Sequence, residues 1–514
     1  MVDAGDLKSS ADRRAGSSPA ARTSVTSIRS ALALALILTL PACNRRPDKG
    51  AVVVSAIGGS PSLRDASRGA LPEPDRVLAG ATAQGLVSFD AAGVIQPGLA
   101  QRWIVIDGGR TYIFRLRRAS WTDGKPVTAR EVVAWLKRQL APRSRNPLKP
   151  YLSAIEDVVE MTPDVIEVDL ARPRPDLLAL FAQPELAILR PGTRLGAGPL
   201  APIAGSGAAP LLTPLPDPDR DPDEQHAPEP EDRVRLIGER AARAILRFVA
   251  RDSDLVSGGS IADWPLIRAA GAAPNNVRLD TPAGLFGLAV TDRAGLLATA
   301  EGRAAVAAAI DRQALTAVVA REWAPVEQLL PEQLDSAAAP AVAEWVASSL
   351  EQRRADARAT VAAWRQANGG MEARVRLALP GGAGGNVLWG RIAADLIAAG
   401  IRPLRVALGA PAELTLVDAV APYDSARWYL ATACAACGLA TPHAIEDARV
   451  APTLAERAAA LAAADAELAR DGGFIPIARP FRWSLVSMRL RAWQPNARAW
   501  HPLNQLRRDP TLAR

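Results

Sequence analysis

Residues 81–140 read ATAQGLVSFDAAGVIQPGLAQRWIVIDGGRTYIFRLRRASWTDGKPVTAREVVAWLKRQL, and they carry the strongest structural signal in the chain. Two runs rich in aromatic and β-branched residues, at 103–106 and 112–116, lie on either side of an Asp-Gly-Gly sequence at 107–109. A short turn of this composition between such runs is typical of a β-hairpin. Residues 103–116 are therefore predicted to form a hairpin.

The end of the same stretch predicts a helix. Thr128 is followed three residues later by Glu131, the spacing at which each side chain accepts a hydrogen bond from the other residue's backbone N–H. Apolar residues then recur on one helical face up to about residue 140. They are Val132, Val133, Trp135, Leu136 and Leu140. We expect a helix that starts after Thr128 and packs this face on a core.

The stretch resembles the extracytoplasmic solute-binding proteins of the oligopeptide, dipeptide and nickel class of ATP-binding-cassette (ABC) importers, which are called family 5. The matching residues are 84–87, 97–100, Trp103, 108–117 and 121–133. The resemblance implies an α/β fold of the periplasmic-binding-protein type, with two lobes, a hinge and a smaller third subdomain. The first lobe would be discontinuous, at about 51–270 and 475–505, and the second would cover about 271–474.

Fainter matches extend the resemblance over most of residues 51–505. They lie at 151–170, 196–199, 241–256, 301–319, 376–406 and 454–477. The first of these would be a helix, a turn and a strand, the fifth a strand, a helix and a strand, and the last a long helix. The Pro- and acid-rich segment 208–232 departs from the family and predicts a flexible loop. Residues 506–514 predict a polar tail.

The N-terminus predicts export. An apolar stretch at 31–40 follows a basic region, and the sequence Leu-Pro-Ala-Cys occupies 40–43. This order is typical of a secretory signal peptide, and a Cys just after the cleavage point resembles a bacterial lipoprotein signal. We predict a lipoprotein signal peptide at 1–42, lipidation of Cys43 and a tether at 43–50. The protein would lie in the periplasm, anchored to an envelope membrane by lipid. Ordinary secretion with a structural Cys43 is the alternative.

Composition and charge exclude other classes. The chain has 514 residues, of which 49% are hydrophobic and 22% are charged, as in ordinary globular domains. The formal net charge is +7, but only five of the 61 basic residues are Lys, and the Arg residues are dispersed. Dispersed positive charge without interleaved aromatic residues does not indicate a nucleic-acid surface. No nucleic-acid partner is expected.

Motifs for catalysis are missing from the sequence. Neither Gly-x-Ser-x-Gly nor His-Glu-x-x-His occurs, and His226, His443 and His501 are scattered. The Gly-rich residues 380–386 match no phosphate-loop spacing; they predict a tight turn into a helix, although backbone N–H groups there could hold an anion. We expect no enzyme activity, no cofactor and no metal site.

Cys434 and Cys437 form a Cys-x-x-Cys pair. In an exported protein such a pair predicts a disulfide. Free thiols and a redox or metal site remain as alternatives. A thioredoxin-type redox centre would be expected to follow a strand, to start a helix and to have an aromatic neighbour, whereas Ala, Thr, Gly and Leu flank this pair.

The resemblance also points to a ligand-binding cleft around residues 416–430. In peptide-binding relatives an Asp of the matching segment pairs with the peptide ammonium, but Pro422 stands at that position here, and Gln84 stands where the family has Glu. The candidate ligand-binding residues are Gln84, Tyr151, Asp418, Tyr423, Asp424 and Trp428. Loss of two acids favours a ligand with less positive charge than a free peptide. Alternatively, the Asp residues cap turns and Tyr151 only packs.

These observations predict a monomer that captures a peptide-like or other small solute by hinge closure and delivers it to an ABC permease and its ATPase. Three alternatives stay open. They are a binding or sensor lipoprotein without a transporter, a protein that binds nickel or another metal through a chelator, and a Cys-x-x-Cys thiol oxidoreductase.

Overall fold

The structure is a computed structural model that describes residues 50–217, 221, 223, 225 and 227–507. Several predictions fall outside the described residues. They are the signal peptide, the lipidation site Cys43, the tether up to residue 49 and residues 508–514 of the tail.

The described strands are numbered in chain order. They are β1 (Val52–Ile57), β2 (Val87–Phe89), β3 (Ile95–Pro97), β4 (Ala100–Ile106), β5 (Thr111–Leu116), β6 (Ile155–Thr162), β7 (Val165–Leu170), β8 (Leu200–Pro202), β9 (Leu211–Pro214), β10 (Val234–Glu239), β11 (Leu255–Ser260), β12 (Val277–Leu279), β13 (Gly284–Val290), β14 (Arg374–Leu379), β15 (Arg402–Ala407), β16 (Leu414–Val420), β17 (Phe474–Ala478) and β18 (Arg482–Val486).

The described α-helices are numbered in the same way. They are α1 (Glu73–Thr82), α2 (Ala129–Leu140), α3 (Leu177–Phe181), α4 (Ala241–Val249), α5 (Trp264–Ala269), α6 (Ala300–Ala309), α7 (Arg312–Val319), α8 (Leu350–Ala367), α9 (Gly382–Ala398), α10 (Ala426–Ala433), α11 (Ala440–Val450) and α12 (Leu454–Asp471). Helix α2 begins with the predicted reciprocal cap between Thr128 and Glu131, which confirms that prediction.

The largest sheet, called the first-lobe sheet, has the strand order β12-β18-β11-β1-β10-β9-β8. Strand β1 runs parallel to β10 and β11, whereas β18 lies antiparallel between β11 and β12. Both ends of the chain therefore build this sheet. Strand β9 lies inside segment 208–232 and pairs with β8 and β10. The prediction of a flexible loop is thus wrong for β9, whose Leu212 is fully buried in the core.

A smaller antiparallel sheet, called the subdomain sheet, has the order β4-β5-β7-β6. The predicted hairpin is confirmed: Ile106 pairs with Thr111, and Asp107, Gly108 and Gly109 all have positive φ in the connecting turn. The prediction of a helix within residues 151–170 is wrong, because β6 and β7 form a second hairpin there. Successive residues of β7 alternate between a buried and a more exposed face, which suits a strand better than a helix.

The remaining large sheet, called the second-lobe sheet, has the order β15-β14-β16-β13-β17. Strand β14 is parallel to β15 and β16, and β13 is antiparallel to β16 and β17. The predicted strand, helix and strand within 376–406 are confirmed as β14, α9 and β15, and the predicted long helix is confirmed as α12, which is followed by β17.

The chain crosses between the two large sheets at residues 280–283, after β12, and at residues 479–481, after β17. These short crossing segments are adjacent connections of the kind that act as a hinge. The boundaries expected from the sequence, about 270 and 475, lie several residues before them. Among the described residues, no helix is both long and apolar enough to span a bilayer.

Candidate ligand-binding cleft

A cavity of about 520 Å³ lies between the first-lobe and second-lobe sheets, and we call it the cleft. Its lining includes the end of β11, the end of β16 with the residues that follow it, the start of β18 and the loop 498–503. Sites for small molecules typically have volumes of roughly 300–1,000 Å³. The cleft is bounded by both lobes, so a hinge motion would open or close it.

An irregular strand edge forms part of the first-lobe wall. The pairing of β11 with β18 shifts register between Val256 and Gly259, and Gly258 has a φ of 81°, which side chains with a Cβ rarely adopt. Such bulges are frequent next to functional sites. Ser257, in this bulge, lines the cleft, and its buried Oγ has no hydrogen-bond partner among the described residues.

The second-lobe wall also has an open strand edge. Strand β14 pairs with β16 only at Leu414 and Thr415. Beyond Thr415 this edge of β16 has no neighbouring strand within the part of the chain that the structure describes. Residues 418–422, at the end of β16 and just after it, line the cleft. A strand edge in a cleft can accept an extended peptide as an additional strand.

Asp418 joins the two lobes at the hinge. Its Oδ1 accepts a hydrogen bond of 2.7 Å from Arg482 Nη1, and its backbone oxygen accepts one of 3.2 Å from Nη2. Each side chain is 19% exposed. Burial raises the pKa of the Asp418 carboxyl, while the charge of Arg482 opposes the rise. This predicted ligand-binding acid is therefore already neutralised by an arginine of the first lobe.

A second polar contact lies on the other crossing segment. Asp280 Oδ2 is 3.1 Å from His501 Nε2, and its Oδ1 accepts a hydrogen bond of 3.0 Å from the backbone N–H of Asn496. The side chains of Asp280 and His501 are 2% and 7% exposed. Because both are almost fully buried, this contact fixes the C-terminal loop to the hinge.

Arg76 of α1 is a charged residue of the cleft wall and lies beside the loop 498–503. Its Nε donates to Glu185 at 2.8 Å and its Nη1 to Glu73 at 3.3 Å. The guanidinium lies 5.5 Å from the ring centroid of Trp500, within range of a cation–π contact. Arg76 is thus held by two carboxylates of the protein and by an aromatic face.

Asp424 forms an ion pair with Arg498. Asp424 belongs to the second lobe and is 55% exposed at its side chain, whereas Arg498 comes from the C-terminal part of the chain and is 10% exposed. Arg498 lines the cleft. The structure therefore engages both predicted acids, Asp418 and Asp424, with arginines that the sequence did not indicate.

The predicted aromatic residues lie together. The ring centroids of Tyr151 and Tyr423 are 5.6 Å apart, and Arg427 lies 5.6 Å from the Tyr151 ring. Tyr151 and Trp428 line the cleft. Tyr423 and Tyr151 line a neighbouring void of about 20 Å³, which has room for about one water molecule. Burial raises the pKa of both tyrosines.

Gln84 lies elsewhere. Its Nε2 donates a hydrogen bond of 2.8 Å to the carbonyl of Ala197. It lines a separate cavity of about 1300 Å³, whose walls come from the first lobe and its subdomain. The structure does not bring Gln84 into the cleft, because this hydrogen bond holds its amide beside the segment after residue 195.

Cys434 and Cys437 are joined by a disulfide. The bond lies in the turn between α10 and α11, where Arg293 Nε donates a hydrogen bond of 2.5 Å to the carbonyl of Ala436. Helix α10 ends just before Cys434, whereas a thioredoxin-type centre would start a helix at that point. Among the described residues, no three His, Cys, Asp or Glu side chains form a group that could hold a metal ion.

The charged residues that the sequence analysis missed come from distant parts of the chain. They are Arg76, Asp280, Arg482, Arg498 and His501. In a chain with 61 basic residues, the sequence does not indicate which individual Arg lies at a binding site. One indication was available: the expected return of residues 475–505 to the first lobe would bring the polar residues near 496–501 close to the cleft.

The fold resembles that of two-lobed solute-binding proteins of known structure. The structure of Haemophilus influenzae OppA in complex with RPPGFSPFR superposes with a TM-score of 0.74 at 17% sequence identity, over 90% of this chain and 99% of that one. At such low identity the likeness concerns the fold alone. It confirms the α/β architecture of the periplasmic-binding-protein type.

Sequence comparison finds relatives for part of the chain. Residues 94–208 match the model described as "Bacterial extracellular solute-binding proteins, family 5 Middle". The "Probable deoxycholate-binding periplasmic protein YgiS" of Escherichia coli is 36% identical over 121 residues, which cover 20% of this chain and 23% of the relative. The "Periplasmic oligopeptide-binding protein OppA" of Haemophilus influenzae is 36% identical over 95 residues, which cover 18% and 17%.

Residues 94–208 of this chain are therefore similar to the middle part of the family 5 solute-binding proteins. The two relatives are both named as binding proteins. The matched segments span about a quarter or less of these curated relatives. The residues matched by the family model, 94–208, include the subdomain sheet and end before the second lobe, so the ligand does not follow from the family match.

Proposed function

We propose that this protein is the substrate-binding component of a peptide-type ABC importer. It captures a peptide-like or other small solute in the periplasm, closes its lobes around it and delivers it to a membrane permease powered by an ATPase. We further propose that it acts as a monomer, anchored to the envelope membrane through a lipid on Cys43, and that Cys434 and Cys437 form a structural disulfide.

One observation carries this proposal: a cavity of about 520 Å³ lies between the two lobes, beside the segments in which the chain crosses from one large sheet to the other. A ligand in this position touches both lobes. It therefore stabilises the closed arrangement by the difference between its affinities for the closed and the open form. A permease that recognises the closed arrangement would then distinguish loaded from empty protein.

A peptide-like ligand is supported by the walls of the cleft. The open edge of β16 offers backbone groups for peptide amides, and Tyr151, Trp428 and Trp500 offer apolar surface for side chains. The relative OppA is named for oligopeptide binding, and its structure holds a peptide.

Native mass spectrometry of residues 44–514, purified from the periplasm of an expression host, tests the proposal. The expected result is a bound mass that is lost on mild denaturation and fragments as a peptide. If the protein is empty, a peptide pool should raise its melting temperature. A ligand at about 100 times its Kd adds about 2.7 kcal/mol of stability. No bound mass and no thermal shift would contradict a peptide importer.

A second candidate ligand is a bile acid, favoured by the name of the relative YgiS. Deoxycholate in the same thermal assay distinguishes the two. The matched control is taurine-conjugated deoxycholate, which keeps the ring system but replaces the carboxylate by a larger sulfonate group. A shift with deoxycholate and none with peptides would assign the cleft to a carboxylated amphiphile.

A further inference from the structure

Arg498 is a buried cation whose hydrogen-bonding capacity is only partly used. Its side chain is 10% exposed, and its Nη2 donates to Asp424. The other terminal nitrogen, Nη1, is shut off from solvent and has no hydrogen-bond partner among the described residues. A buried N–H of a charged group without an acceptor is costly. An acceptor brought by a ligand would remove this cost.

The loop that carries Arg498 is held in place before any ligand binds. The side chain of Asn496 is 4% exposed. Its Oδ1 accepts hydrogen bonds from the backbone N–H groups of Arg498 at 3.0 Å and Trp500 at 3.3 Å, and its Nδ2 donates to the carbonyl of Trp500 at 2.9 Å. Between them, Ala499 has a φ of 47°. Residues without the freedom of glycine adopt such angles mainly where surrounding contacts enforce them, often at functional sites.

The other arginines of the cleft are differently engaged. Arg482 holds Asp418 through both its terminal nitrogens, and Arg76 holds Glu185 and Glu73. Neither has a buried nitrogen without a partner. Arg498 is therefore the cleft-lining arginine best suited to receive an anionic group from a ligand.

We infer that Arg498 is a specificity-determining residue that binds a carboxylate of the ligand through Nη1 while Nη2 keeps Asp424 of the second lobe. The planar guanidinium presents several N–H donors in a fixed fork, so it can hold two carboxylates at once. One side chain then connects the ligand, the first lobe and the second lobe. This inference rests on the proposed function and narrows its ligand class to solutes with a free carboxylate.

A randomised tripeptide pool, made once with free C-terminal acids and once with C-terminal amides, tests the inference. Native mass spectrometry of the full mature chain measures which form is retained. The most enriched tripeptide is then titrated in both forms against the wild type, Arg498→Gln and Arg498→Lys. We expect the wild type to prefer the acid, and Arg498→Gln to bind the acid about 10- to 100-fold more weakly, with its preference lost.

Arg489→Gln is the matched control. Arg489 lies in the same C-terminal segment and its side chain is 12% exposed, but it pairs with Asp254 and does not line the cleft. It should keep the preference for the acid. Arg498→Lys retains the positive charge but lacks the planar guanidinium. If the melting curve of Arg498→Gln shows that this variant is misfolded, Arg498→Lys tests the inference instead. It should lose most of the preference.

The outcomes separate the inference from the proposed function. Equal retention of acids and amides by the wild type, or an unchanged preference in both Arg498 variants, overturns the inference and leaves peptide binding intact. Retention of neither pool by the wild type contradicts the proposed function and the inference together.

Discussion

Two of the regions in which the described parts of the two lobes meet differ in their chemistry. At the hinge, two largely buried side-chain contacts lie beside the crossing segments: the ion pair of Asp418 with Arg482, which joins the lobes, and the contact of Asp280 with His501. Where the subdomain touches the second lobe, the contacts run from side chains to backbone carbonyls. They are Gln183 to Pro422 at 2.6 Å, Arg427 to Pro150 at 3.1 Å and Arg174 to Arg449 at 2.8 Å. We call this second region the subdomain contact.

This difference suggests that the two regions have different roles when the lobes move. Breaking a buried ion pair leaves a charge without a partner, at a cost of about 3–5 kcal/mol. A carbonyl released from a hydrogen bond is solvated by water when the lobes separate, so the net cost is about 1 kcal/mol. The hinge region therefore keeps its geometry, whereas the subdomain contact can open to admit a ligand.

The largest expected effect is that of Arg482→Ala. It leaves the carboxylate of Asp418 largely buried and unpaired, and it should lower the free energy of unfolding by about 3 kcal/mol. Denaturant unfolding at pH 7 measures this. The double variant Asp418→Asn with Arg482→Met should recover most of the loss. A loss below about 1 kcal/mol in the single variant would mean that the hinge pair is no stronger than a surface pair.

The next effect concerns pH at the subdomain contact. Burial raises the pKa of Asp176 to about 7, and the negative charge of Asp335 contributes to this rise. The folded state then holds more protons than the unfolded state between about pH 4 and 7, so this residue lowers stability as pH rises through that window. Asp176→Asn should be more stable than the wild type by about 2 kcal/mol at pH 8, a value reduced for partial exposure.

Denaturant unfolding at pH 5 and pH 8 provides the measurement, and the advantage of Asp176→Asn should largely disappear at pH 5. Asp465→Asn is the comparison variant, because burial raises the pKa of Asp465 to about 6 and this residue lies within the second lobe. Small-angle scattering separates the two: only Asp176→Asn should make the lobes less open at pH 8. Identical scattering of all three proteins would mean that the charge of Asp176 does not affect the subdomain contact.

A smaller effect is expected for Gln183→Ala. The variant loses the hydrogen bond of 2.6 Å to the carbonyl of Pro422, worth about 1 kcal/mol. The ratio of closed to open protein should fall about fivefold, and the ligand should dissociate faster by a similar factor. Stopped-flow displacement measures the dissociation rate. An unchanged rate would show that the subdomain contact does not hold the lobes together.

The smallest effect sets the baseline. Arg130 pairs with Glu160 within the subdomain, and its side chain is 83% exposed. Arg130→Ala should change the free energy of unfolding by less than about 0.5 kcal/mol, because exposed ion pairs are solvated and screened. A change of 2 kcal/mol in the free energy of unfolding of this variant would mean that exposed ion pairs contribute as much as buried ones. The comparison of the two regions would then lose its basis.

The local parts of the fold were the predictable ones. The turn at residues 107–109 and the cap at Thr128 act over a few residues, so composition and spacing indicate them directly. Residues 151–170 were misjudged because apolar residues of a short segment suit either a helix or a strand, and pairing with β5 decides for the strand. Strand β9 was not predicted because a few residues inside a Pro-rich segment show too little of the alternation of apolar and polar residues that is typical of a strand.

The cleft was only half predictable, for a related reason. The resemblance led to Asp418, Asp424, Tyr151 and Trp428, which lie in or beside it. Their partners Arg482 and Arg498 follow them by 64 and 74 residues, and no local pattern connects positions so far apart. Gln84 was misplaced because a match in a loop does not determine which cavity its side chain faces.

The position of β18 has a consequence for the order in which the protein is completed. This strand lies between β11 and β12 and joins residues 482–486 to a sheet that starts at residue 52. During synthesis or export from the N-terminus, the first lobe therefore lacks an internal strand until almost the whole chain has emerged. The second-lobe strands lie between residues 284 and 478, so the lobe that begins first is finished last. Pairings of such long sequence separation form slowly, which keeps the newly made chain in an incompletely folded form for longer.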